Sequence, residues 1–65
     1  MKRKKLLDYL ERHGCHFLRE GASHSLYRNV RNNLKTSLPR HREIGDLLAE
    51  KICKDLDIPR IRSKK

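Results

Sequence analysis

The spacing of apolar residues changes twice along the chain, from helical to alternating and back. Between residues 2 and 13, Leu6, Leu7 and Leu10 form one stripe among lysines and arginines, which predicts a helix. Gly14 follows as a left-handed cap residue. From 15 to 20 the pattern alternates as a strand, with Cys15, Phe17 and Arg19 on one side and His16, Leu18 and Glu20 on the other. Gly21-Ala22-Ser23 interrupts it as a hairpin turn. A second strand, 24–30, sets His24, Leu26, Arg28 and Val30 against Ser25, Tyr27 and Asn29. Arg31-Asn32-Asn33 has turn composition, and a third strand runs over 34–38 until Pro39 ends it. Helical spacing returns over 44–57 with Ile44, Leu47, Leu48, Ile52 and Leu56, widened by Ala49 and Cys53. Gly45 and Asp46 suit its first turn, and Pro59 lies just beyond its end.

The two turns set a register. Pairing Glu20 with Ser23 puts Arg19 opposite His24, Phe17 opposite Leu26 and Cys15 opposite Arg28. Pairing Val30 with Leu34 puts Arg28 opposite Thr36, Leu26 opposite Leu38 and Arg40 opposite His24. One sheet face then collects Cys15, Phe17, Leu26, Val30, Leu34 and Leu38. It is predicted to lie beneath the helices, because the opposite parity would leave that set in water. His24 is expected at the rim of this covered face, between Arg19 and Arg40. Tyr27 falls on the open face, where it can stack on a base. The predicted fold is α+β, an αβββα chain with a three-stranded antiparallel sheet and both helices on one face. This is the arrangement of the double-stranded RNA-binding domain.

Charge narrows the partner. Seventeen Lys and Arg against eight acids give a formal net charge of +9. A polyanion or an acidic protein is the matching partner. A membrane surface fits less well, since no apolar face is left over for insertion. The two helices are separated by the whole sheet, so no helix-turn-helix pair for reading DNA is present. Sixty-five residues make one domain, 1–65, whose core supplies roughly 3–5 kcal/mol. The basic start Lys2–Lys5 resembles a signal-peptide n-region, but Asp8 and Glu11 interrupt any apolar stretch. A soluble, cytoplasmic protein is expected. The tail 60–65 has no period and is expected to be basic and mobile.

Cys15 and Cys53 read as two reduced, buried thiols of an intracellular protein. Grouping them with His13 and His16 as a zinc site meets a geometric objection. Cys15 and His16 are successive strand residues and point to opposite faces. No metal and no small-molecule cofactor is expected.

Candidate chemistry centres on His24, an imidazole at the start of a strand directly after a polar glycine turn. Its ordinary pKa suits proton transfer near neutrality. Gly21-Ala22-Ser23-His24 is joined by Leu38-Pro39-Arg40-His41, by Glu43-Ile44, by Ile52-Cys53-Lys54 and by Leu56-Asp57-Ile58-Pro59. On these residues the chain resembles the HicA family of bacterial toxins, mRNA interferases with a double-stranded-RNA-binding-domain-like fold. It departs from the commoner Gly-Ser-His run by Ala22, and has Gly45-Asp46-Leu47 where Gly-Thr-Leu is more usual. The resemblance implies an endoribonuclease acting on mRNA and neutralised by a HicB-like antitoxin protein. It places the functional histidine on His24 and the family's glycine on Gly21.

RNA cleavage without a metal uses the ribose 2′-OH as internal nucleophile on the adjacent phosphodiester. His24 would serve as general base. Arg19 and Arg40 would keep it neutral and hold the phosphate, with Gly21, Ser23, Arg28 and His41 completing the phosphate-binding set. Amide groups at the start of the second helix are a further candidate for anion stabilisation. The leaving oxygen needs a proton, for which His41 and solvent both qualify. The other class that charge and fold allow is a non-catalytic RNA-binding module, which has no need of His24.

Overall fold

The computed structural model describes residues 1–61. Its elements are α1 (Arg3–Arg12), β1 (Cys15–Glu20), β2 (His24–Asn29), β3 (Lys35–Pro39) and α2 (Asp46–Asp55). The strands form one antiparallel sheet in the order β1-β2-β3. Both helices cover the same sheet face, and Leu6, Leu10, Cys15, Tyr27, Leu38, Ile44, Ala49, Ile52, Cys53 and Leu56 share a single core. This is the expected α+β order with a double-stranded-RNA-binding-domain-like arrangement. No helix among the described residues is long and apolar enough to cross a membrane.

Local chemistry explains the ends of the helices. Lys2 is extended and bridges Glu43; Arg3 N–H donates to Arg42 O at 2.8 Å and Ile44 N–H donates to Met1 O at 2.8 Å. This two-stranded clasp sets the starts of α1 and α2 side by side. Gly14 carries the left-handed φ of 77° that closes α1. α2 stops two residues earlier than its pattern predicts. Asp57 adopts a left-handed φ of 57°, Asp57 N–H donates to Lys54 O at 3.0 Å, and Ile58 N–H donates to Cys53 O at 3.1 Å. These are the paired bonds of a Schellman cap, with Ile58 buried against the helix it terminates. Ile44 joins the core from the extended segment ahead of α2. The helix phase is set by Ala49, Ile52, Cys53 and Leu56, so Leu47, expected inside, is 83% exposed and Leu48 is also exposed.

The middle strand is turned over relative to the expected register, for two reasons of one residue each. Glu20 pairs with Ser25 across a four-residue loop, and Arg19 pairs with Leu26. A bulge at Leu18 then shifts the ladder, so Phe17 pairs with Tyr27 and Cys15 with Asn29. On the other side β2 slips by one residue: His24 pairs with Pro39, Ser25 with Leu38 and Arg28 with Lys35. Cys15 and Leu38 are buried as expected. Their partners in β2, however, are Asn29 and Ser25, and these two lie beneath the helices with Tyr27 between them in the strand. Phe17, Val30 and Leu34 are exposed instead. Tyr27, expected to be open for stacking, meets the Phe17 ring edge-on at a centroid distance of 5.9 Å. Of the tail, Ile61 is buried in the core, against the expectation of mobility; residues 62–65 lie outside the described residues.

Cys15 and Cys53 are both free and fully buried. Burial pushes both thiols up, and each carries little thiolate near neutrality. Both should therefore resist iodoacetamide in the native protein at pH 7 and label rapidly once urea unfolds it. Rapid labelling of the native protein would show that the core is open.

Candidate nucleic-acid interface

The loop that carries His24 is held from both sides. Gly21 N–H donates to His24 O at 2.7 Å. A Cβ at Gly21 would stand 3.2 Å from the same carbonyl oxygen, a tight approach that a side chain would relieve only by shifting the turn a few tenths of an ångström. Arg40 donates through Nη1 to Glu20 Oε1 and through Nη2 to Ala22 O, both at 2.9 Å. Ser25 Oγ donates to Glu20 Oε2 at 3.0 Å and accepts from Arg3 Nη2 at 3.1 Å. Arg3 Nε also donates to Pro39 O at 3.0 Å. Two arginines thus clamp Glu20 and Ser25 and fix the β1–β2 turn, while the His24 side chain remains exposed.

Arg19 and Arg40 do not flank His24 as expected. Pro39, not Arg40, is its partner on β3, and the Arg40 guanidinium braces the turn instead. Arg19 stands opposite Leu26, two residues along from His24. By strand geometry that makes it a diagonal neighbour, about 7–8 Å away. Ser23 Oγ lies 3.3 Å from His24 Nδ1. When Nδ1–H donates to this hydroxyl, Nε2 is left as the free acceptor of a neutral ring.

Strand pairing gathers cations on the face the helices leave open. His16, Arg28 and Lys35 form one row across the three strands, and Arg19, Leu26 and Ser37 form the next. His24 and Pro39 follow at the edge. The one acid in the strands, Glu20, pairs with Ser25 on the covered side. Among the described residues, Arg19, Arg28 and Lys35 are in none of the ion pairs. Lys35 and Ser37 are not among the expected site residues, because the expected register sets His24, Arg19 and Arg28 on the opposite, covered face.

A cleft of about 400 Å³ runs along the free edge of β3 against α2, and His24, Ser37, Pro39 and His41 line it together with Thr36, Lys51 and Asp55. On its far wall Asp55 Oδ2 accepts from Thr36 Oγ1 and from Lys51 Nζ, each at 3.1 Å. The Lys51 bond, aided by Thr36, holds the Asp55 carboxyl below its ordinary range despite the opposing effect of burial. The start of α2 has no side-chain cap, yet its charge does not suit an anion. Glu43 and Asp46 stand there, each with an oxygen 3.7 Å from the Met1 ammonium, and their negative charge opposes a second anion.

His13 donates through Nδ1 to Tyr9 O at 3.0 Å, and His16 Nδ1 lies 2.7 Å from Glu11 Oε1. Among the described residues, no group of three or more His, Cys, Asp or Glu side chains could hold a metal ion. Comparison with protein-family models, with curated proteins and with solved structures gave no match to this chain.

Proposed function

We propose that this domain binds RNA through the open face of its sheet, as a module with a double-stranded-RNA-binding-domain-like fold. The observation that carries this reading is the clustering of Arg19, Arg28 and Lys35 on a sheet face whose strands contribute no acid. In a chain of net charge +9, phosphate attraction and counterion release then supply most of the affinity. Affinity for a short RNA should fall steeply as salt rises. An Arg28→Ala, Lys35→Ala double variant should bind more weakly and flatten the log–log salt slope by about 0.7–0.9 per contact removed. A flat salt dependence of the unsubstituted protein, measured by fluorescence anisotropy, would overturn this reading.

A finer reading makes the bound RNA a substrate. In it the chain is a HicA-like toxin, a metal-independent endoribonuclease with His24 as general base, held inactive by a HicB-like antitoxin. One observation favours it: His24 is exposed at the start of β2, beside a turn fixed by two arginines, and it lines the same cleft as a second imidazole. A pure binding surface does not require that arrangement. An acidic antitoxin laid over this cleft and the adjoining basic face would block substrate and offset the positive charge together.

A further inference from the structure

We propose that His41 is the general acid of the cleavage reaction, sharing the β3–α2 cleft with His24 as general base. The inference rests on the endoribonuclease reading and adds a second catalytic residue to it. His24 pairs with Pro39, the last residue of β3, and His41 follows two residues later on the chain that leaves the strand. Both side chains are exposed, and both line the one cleft of about 400 Å³. That volume is within the range of small-ligand sites. The other groups that line it are unsuited to proton donation near neutrality. The Asp55 carboxyl is held ionised by Lys51 and Thr36, and Ser37 and Thr36 carry hydroxyls of very high pKa. Lys51 Nζ is engaged by Asp55 Oδ2 at 3.1 Å.

The step balances with two imidazoles and no other reactant. His24 Nε2 takes the proton of the ribose 2′-OH as that oxygen attacks phosphorus. The P–O5′ bond breaks, and protonated His41 gives its proton to the departing O5′. The products are a 2′,3′-cyclic phosphate and a 5′-OH, with His24 protonated and His41 neutral. Solvent exchange then restores both rings.

A leaving-group substitution separates an acid from a merely structural residue. An RNA with sulfur in place of the bridging 5′ oxygen leaves as a thiolate and needs no proton. His41→Ala should cut an ordinary RNA about 10²-fold more slowly than the unsubstituted protein, yet cut the sulfur-bridged RNA within a few-fold of it. His24→Ala should be impaired on both substrates. The falling, alkaline limb of the pH–rate profile should disappear in His41→Ala and the rising limb in His24→Ala. Full activity of His41→Ala on ordinary RNA, or equal impairment on both substrates, would overturn the assignment while leaving His24 catalysis standing. If the unsubstituted protein cuts neither RNA, the endoribonuclease reading falls, and the acid assignment with it; RNA binding is then the function that remains.

Discussion

His24→Ala should lower RNA cleavage by about 10²–10⁴-fold while leaving the fold and most of the RNA affinity in place. The side chain is exposed and outside the core. The contacts that hold its position are main-chain ones, from Gly21 N–H to His24 O and across the ladder to Pro39. Alanine preserves both. The open-face cations proposed to attract phosphate are untouched. A loss of rate at unchanged affinity is the signature of an interaction made only in the transition state. Ser23→Ala should act in the same direction but less strongly, since it frees the ring from its 3.3 Å partner without removing it. Cleavage should persist in a chelator, and the fragments should end in a cyclic or 3′ phosphate and a 5′-OH. Undiminished cutting by His24→Ala would remove the enzyme reading and leave a non-catalytic RNA-binding module.

The element order was legible because period is a strong signal: three alternating runs between two helical stripes admit few arrangements. Gly14 as helix cap and Arg31-Asn32-Asn33 as turn were legible for the same reason, since special backbone angles select few residue types. The parity of β2 was not. Its apolar residues are divided between faces, Leu26 and Val30 against Tyr27, so alternation alone does not decide which side is covered. Two local events decide it, the bulge at Leu18 and the one-residue slip between β2 and β3. Neither has a composition signal. The consequence reaches the site. His24 lies at the hairpin as expected, but on the open-face parity and not at the rim of the covered face; its neighbours differ accordingly, and the cleft with His41, Lys51 and Asp55 comes from the packing of β3 against α2. What makes the polar face of β2 fit for burial is that its polar atoms find partners. Ser25 is held by Arg3 and Glu20, and among the described residues no buried side-chain nitrogen or oxygen lacks a hydrogen bond.

Asn29→Ala should destabilise the domain by about 2–4 kcal/mol, the largest stability loss expected from a single polar side chain here. Asn29 is fully buried at the end of the central strand. Its Nδ2 donates to Leu56 O at 2.8 Å, capping the C-terminus of α2. Its Oδ1 accepts from Arg31 N–H at 2.9 Å and shapes the turn into β3. One side chain therefore ties α2 to the β2–β3 connection. Removing it strands a donor and weakens the cap on an acceptor, at about 1–3 kcal/mol for each group left unpaired. Asn32 Nδ2 also reaches Leu56 O, at 3.2 Å from an exposed position. It compensates in part, and Asn32→Ala alone should cost well under half as much. Against a core worth roughly 3–5 kcal/mol, the Asn29 loss brings the domain close to unfolding at room temperature. At about 4–8 °C per kcal/mol for a chain of this size, its melting temperature should drop by more than 8 °C. Thermal melts followed by circular dichroism give the answer directly. A drop no greater than that of Asn32→Ala would mean that Asn29 does not fasten α2 to the sheet.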